Sequence, residues 1–191
     1  MLEPVLGEAA PEISKQLIAQ ANGLASLILY DDGKPQPSCE GFSSALAFIA
    51  ALREVLRYSL KERVETAPVL STGFALRDYL FAEMAYLPIE CFRVIYLNSR
   101  NMLIADEVHG FGTVDAAPVH TRTLMHRALD LGAAALLLVH NHPSGVPEAS
   151  QADQRITREI ANAGRHLGIS VHDHVIVTRT GWSRMRASGF L

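Results

Sequence analysis

Apolar and polar positions along this chain change their period near its middle. Between residues 12 and 30, Ile13, Leu17, Ile18, Ala21, Leu24, Leu27 and Ile28 fall at helical spacing, which predicts an amphipathic helix. Residues 31–41, DDGKPQPSCEG, have turn and linker composition. FSSALAFIAALREVLRYSLKERV, residues 42–64, predicts a long helix with Ser43 or Ser44 as its N-cap. A third helix is expected from about Thr72 to Tyr86, where Leu76, Leu80 and Met84 form an apolar stripe suited to packing rather than to a cofactor.

From Pro88 onward the texture is that of strands. ECFRVIYL (90–97) and MLIADEVHGFG (102–112), joined by NSRN, predict a hairpin. A Gly/Thr/Asp/Pro loop follows, then a helix over 120–131. AALLLV (134–139) is a short apolar run of the kind that makes a buried strand. A further helix is expected over 150–167, with Gly168 as its stop. ISVHDHVIVT (169–178) predicts a strand, RTG a turn, and WSRMRASGFL a short edge or tail, with Trp182 as an anchor. The order strand, strand, helix, strand, helix, strand predicts a mixed α/β domain over 87–191, preceded by a small helical region over 1–86.

Composition narrows the function classes. The chain has 191 residues, 49% hydrophobic and 19% charged, as expected of a soluble globular protein, and no apolar run is long enough to span a bilayer. Its acidic start, MLEPVLGEAAPE, lacks the profile of a secretory signal. Cys39 and Cys91 suggest neither a disulfide framework nor a cysteine-bound zinc. A cytoplasmic protein is expected. Residues 1–80 hold 7 Lys and Arg against 10 Asp and Glu, and residues 81–191 hold 10 Arg against 10 acids, so neither half has the basic excess of a phosphate binder. All eight histidines lie at or beyond His109, which directs attention to metal or acid–base chemistry in that half.

The chemistry concentrates in HNHPSGVPEASQAD, residues 140–153. If the preceding strand continues through His140 and His142, both imidazoles point to one face. Asp153, eleven residues after His142, falls in the first turn of the next helix. Two imidazoles and a carboxylate with a fourth position open is the ligand set of a catalytic zinc. Ser150 and Asp153 also read as a capping box, in which the serine oxygen accepts from backbone N–H groups of the helix. His172-Asp173-His174 reads as a structural element or as a partner of a ligand, with a second metal cluster as the other reading. His109, His120, His126 and His166 read as surface or loop residues. A serine hydrolase built on Ser144 lacks the Gly-x-Ser-x-Gly setting.

His-x-His-Pro followed by Ser150 and Asp153 resembles the JAMM motif of JAB/MPN-domain metalloproteases. LGAAALLLVHNHPSG and GISVHDHVIVT resemble the RadC family specifically. The resemblance covers residues 88–191 and implies a JAB/MPN-like (cytidine-deaminase-like) mixed sheet flanked by helices. It further implies one Zn²⁺ at His140, His142 and Asp153, and peptidase or isopeptidase chemistry. The family motif includes a glutamate ahead of the histidines. Glu90, 50 positions before His140 and opening the first strand, fits better than Glu107, 33 positions before it. Glu90 would then serve as general base and Ser150 would donate to the developing oxyanion.

The implied partner is a peptide or isopeptide-linked protein, with no membrane. A homodimer is compatible. The family also carries a DNA-repair name, so the alternative is a DNA-associated accessory protein with a non-catalytic metal site. Two departures from the family stand out. His120-Thr121-Arg122-Thr123 replaces His-Pro-Arg-Glu, and upstream SCEGFSSA lacks the Gly-x-Gly turn of a helix-hairpin-helix. The helical region is therefore expected to be a truncated, degenerate form of that DNA-binding element.

Overall fold

The structure, a computed structural model, describes residues 2–21, 23–29, 42–112, 119–187 and 189. The chain divides into two compact units, Met1–Ser59 and Leu60–Leu191. The linker read at 31–41, with Cys39, lies outside the described residues, as does the loop at 113–118.

The first unit is helical. It contains α1 (Glu3–Leu6), α2 (Ala10–Gln20), α3 (Leu24–Leu29) and the first part of α4 (Phe42–Glu65). Leu2, Ile13, Leu17, Leu27, Ala45 and Ile49 form its core. The single helix expected over 12–30 is two helices. Gly23 adopts φ +125° and its N–H bonds Ile18 O at 2.9 Å, which ends α2 before the apolar pattern does. Arg53 donates to Ile28 O (2.7 Å) and Leu27 O (3.3 Å), satisfying carbonyls at the end of α3. Because α4 starts at Phe42, Ser43 and Ser44 lie inside its first turn rather than at the cap.

The second unit is built on a five-stranded mixed sheet. Its elements are α5 (Gly73–Met84), β1 (Cys91–Leu97), β2 (Leu103–Phe111), α6 (Thr121–Asp130), β3 (Ala135–Asn141), α7 (Gln151–His166), β4 (Ser170–Val177) and β5 (Trp182–Arg184). The spatial order is β2-β1-β3-β4-β5. β1 pairs antiparallel with β2 and β3, β4 pairs antiparallel with β5, and β3 and β4 are parallel. The parallel pair requires a crossover, which α7 provides. The boundary drawn from the sequence at residues 86 and 87 marks where strands begin. The compact unit begins earlier, because α5 packs on the sheet through Leu76, Tyr79, Leu80 and Met84.

Side-chain alternation sorts the sheet into two faces. Ile95, Leu97, Leu137 and Val139 face α5. Phe92, Val94, Leu136 and Leu138 pack with Leu124 and Met125 of α6 and Ile160 of α7. All seven residues of β3 are buried, which is why its sequence is a continuous apolar run rather than an alternating one. Among the described residues, no helix is long and apolar enough to cross a membrane.

Candidate metal centre

β3 delivers the two imidazoles. Its pairing with β4 runs through Asn141, and His142 N still donates to Val177 O at 3.0 Å, so extended geometry persists past the last strand residue. His140 and His142 therefore share the face that carries α6 and α7. Gly145, at φ +85°, turns the loop back and donates its N–H to His142 O at 3.0 Å. That turn brings Val146 O within 2.6 Å of His142 Nδ1.

α7 delivers the carboxylate. Ser150 is its N-cap, with Oγ accepting from Asp153 N at 3.1 Å, while Asp153 Oδ2 accepts from Ser150 N at 2.7 Å. The capping box and the ligand set are thus one arrangement: the box orients the carboxylate. Asp153 Oδ1 lies 3.2 Å from His140 Nε2, and Oδ2 lies 3.5 Å from His142 Nε2. The two Nε2 atoms are 2.7 Å apart. A tetrahedral ion with bonds near 2.0–2.1 Å holds its donors about 3.3 Å apart. Each imidazole meets a different carboxylate oxygen near that spacing, and one ligand atom from each residue lies within 4.8 Å of the others, so small side-chain adjustments, including about 0.6 Å between the imidazoles, would seat zinc. Among the described residues no second group of three such donors converges, and the side chains of His172, Asp173 and His174 turn to different partners: Asn101, Arg184, and the pair His140 and Thr157.

Electrostatics follow from burial and proximity. Burial pushes the Asp153 carboxyl up, but hydrogen bonds from His140, His142 and Ser150 prevail and hold it well below the usual carboxylate range. Burial depresses His142, yet its bonds to Asp153 and Val146 O and the charge of Glu90 raise it overall. His174, fully buried, is driven well below its ordinary value by desolvation first and by the neighbouring imidazoles second.

A cavity of about 580 Å³ opens beside these groups. Glu90, His140, His142, Ser150 and Asp153 all line it, with Val119, Val146 and Ile156 as an apolar wall. Glu90 directly precedes β1, and its O accepts from Gly112 N at 2.8 Å. Glu107, the other candidate acid, is not in that lining and instead receives Arg127 Nε at 3.0 Å. Ser144 lines the cavity, but the imidazole nitrogens nearby face each other, His174 and Val146 O, leaving it without a base.

Some contributors gave no clear signal in the sequence. Asn141, between the two histidines, faces the α5 side; its Oδ1 accepts from Cys91 N (2.8 Å) and its Nδ2 donates to Ile89 O (3.1 Å). Those two bonds bracket Glu90. Thr157, four residues after Asp153 and so on the same helix face, meets His174 Nδ1 at 2.6 Å. Val146 acts through its carbonyl, which no side chain announces. His109 is not a surface residue: its Nε2 pairs with the buried Tyr96 hydroxyl at 2.6 Å.

A mixed sheet with two imidazoles and a carboxylate converging beside a cavity defines the chain as a JAB-like α/β domain with a candidate mononuclear metal centre. Residues 70–190 match the family model described as RadC, the RadC-like JAB domain, and the chain belongs to that family. It is 48% identical over 131 residues to a UPF0758 protein of Rhodobacter capsulatus, an alignment covering 69% of this chain and 61% of that protein. A UPF0758 protein of Ruegeria pomeroyi is 47% identical over 131 residues, with 69% and 58% covered. The chain thus spans about three fifths of the length of these relatives.

Proposed function

We propose that this chain is a zinc-dependent hydrolase of amide bonds, a metallopeptidase or isopeptidase acting on a peptide or isopeptide-linked protein in the cytoplasm. One observation carries the reading: Glu90 and Ser150 line the same cavity as a donor set of the right type and spacing. When bound, zinc in such a set lowers the pKa of water toward about 7 and polarises a carbonyl. Glu90 takes the proton of the attacking water and returns it to the leaving amine. The cap uses a lone pair of Ser150 Oγ, so its hydroxyl proton remains to be donated to the developing oxyanion. Val119, Val146 and Ile156 shield the reacting amide from bulk water on one side.

The accessory DNA-binding reading gains no support from this cavity. Glu90, Glu148 and Asp153 line it and, among the described residues, no Lys or Arg does, so phosphate would be repelled.

Metal analysis and turnover test the proposal together. Asp153→Ala is expected to lose most bound zinc. Glu90→Gln is expected to retain zinc and lose about 10²–10⁴-fold in turnover on a cleaved peptide or isopeptide. Wild-type turnover by Glu90→Gln would remove Glu90 from its role, and a purified protein with no affinity for zinc would remove the centre.

A further inference from the structure

His142 and His140 settle their ring protons by different means. A neutral imidazole carries one N–H, and the nitrogen offered to a metal must be the bare one. For His142 the matter is closed locally. Its Nδ1 faces Val146 O at 2.6 Å, a carbonyl that can only accept, so in the neutral ring the one proton sits there and Nε2 is bare. His140 has no such fixed acceptor. Its Nδ1 faces His174 Nε2 at 2.8 Å, and that nitrogen can either donate or accept.

His174 hands the decision on. Its Nδ1 lies 2.6 Å from Thr157 Oγ1, and that hydroxyl in turn donates to Asp153 O. His174 and Thr157 are both 0% exposed, so bulk solvent does not supply a substitute partner. Run in one direction, the chain is His140 Nδ1–H to His174 Nε2, His174 Nδ1–H to Thr157 Oγ1, and Thr157 O–H to Asp153 O. Every proton has an acceptor, and His140 Nε2 is bare toward His142 and Asp153, an array of lone pairs that a cation in that corner reconciles. Run in the other direction, Thr157 donates to His174, His174 donates to His140, and the His140 proton occupies the corner where the metal belongs.

We propose that Thr157 is a positioning residue for the metal centre: its hydroxyl is the terminal acceptor that lets His174 carry its proton at Nδ1, and so leaves His140 Nε2 bare for the ion. The inference rests on the metal-centre reading above. It makes α7 serve the site twice, through the Asp153 carboxylate and through a hydroxyl one turn later that ends on the Asp153 carbonyl. A valine of the same shape can take part in neither direction, whereas serine can take part in both.

The test compares Thr157→Val with Thr157→Ser in zinc affinity, measured on the full chain by competition with a chromophoric chelator. Thr157→Val is expected to bind zinc about 10–100-fold more weakly, the usual cost of losing an outer hydrogen-bond partner, while Thr157→Ser stays near wild type. Nitrogen NMR of ¹⁵N-histidine in the zinc-loaded wild type is expected to show His174 protonated at Nδ1 and bare at Nε2. The same pattern in the metal-free wild type, where no ion fixes the His140 tautomer, decides the matter even if Thr157→Val does not fold. Wild-type affinity in Thr157→Val, a Thr157→Ser as weak as valine, or a His174 proton on Nε2 would each overturn the relay while leaving the centre standing. No zinc binding by the wild type would overturn the centre and the relay with it.

Discussion

Asn141 lies between two imidazoles in the chain yet points to the opposite side of the sheet. There its amide does what a backbone pair would otherwise do. The β1–β3 ladder ends at Phe92↔His140, and the Asn141 side chain takes over by bonding Cys91 N and Ile89 O. Glu90, between those two residues, has its main chain fixed on both sides by that amide. Removing the amide strands a buried N–H, because Cys91 is only 2% exposed. Asn141→Leu is therefore expected to cost about 1–3 kcal/mol in denaturant unfolding, the cost of one buried polar group left unpaired. An unchanged unfolding midpoint would mean that the two backbone groups find other partners. Asp153 has two functions at the same scale, helix cap and candidate ligand, and neither reading of the sequence had to give way to the other.

Among the elements, β4 shows how one irregularity aims a side chain. Leu136 pairs with Val171 but Leu137 pairs with Asp173, so His172 is an extra residue in the parallel ladder. Without that bulge, period-2 alternation would send His174 toward α5. With it, His174 joins the face of Leu138 and meets His140. Period counting along ISVHDHVIVT cannot reveal this, because the bulge is a property of the paired strands. The turn between α7 and β4 is constrained as well. A Cβ built on Gly164 would lie 2.5 Å from Ile169 O, a backbone atom with little freedom to retreat. Alanine favours an isolated helix by about 1 kcal/mol over glycine, yet the clash outweighs that gain. Gly164→Ala is expected to destabilise by about 1–3 kcal/mol as α7 lifts from the strand, read as a lower thermal midpoint. An equal or higher midpoint would show that the helix can slide without loss.

For the whole molecule, histidine burial predicts how stability responds to acid. His109, His172 and His174 are each lowered from the ordinary 6.5, with burial as the leading cause. Below pH 6.5 the unfolded chain binds protons that these folded imidazoles refuse, so stability falls as pH falls from there toward their folded values. Asp153 adds to the loss at still lower pH, because its folded value is also depressed. His142 is raised, so its contribution is complete below pH 6.5 and fades as pH rises through its folded value. The shift of fully buried His174 is the large one of these, so the metal-free protein is expected to lose thermal midpoint steadily from pH 7 to pH 5. A flat profile would show that the buried imidazoles open to solvent before the fold does. Much of this architecture was legible in advance: hairpin, central strand, crossover helix and the parallel strand after it all lie within about two residues of the periodicity that announced them, while the edge expected over 182–191 is a strand only at Trp182–Arg184. The two-helix break at Gly23 was not, since the apolar spacing continues across it while the backbone turns. What the sequence by itself determined is the donor set and its shared face, because strand alternation and a helix cap are local rules. The motif already favoured Glu90 over Glu107, but only the tertiary structure put its side chain in the cavity lining and set Thr157 and His174 behind His140. Those pairings join residues far apart in the chain, and only the packing of α7 across β3 and β4 brings them within hydrogen-bond reach.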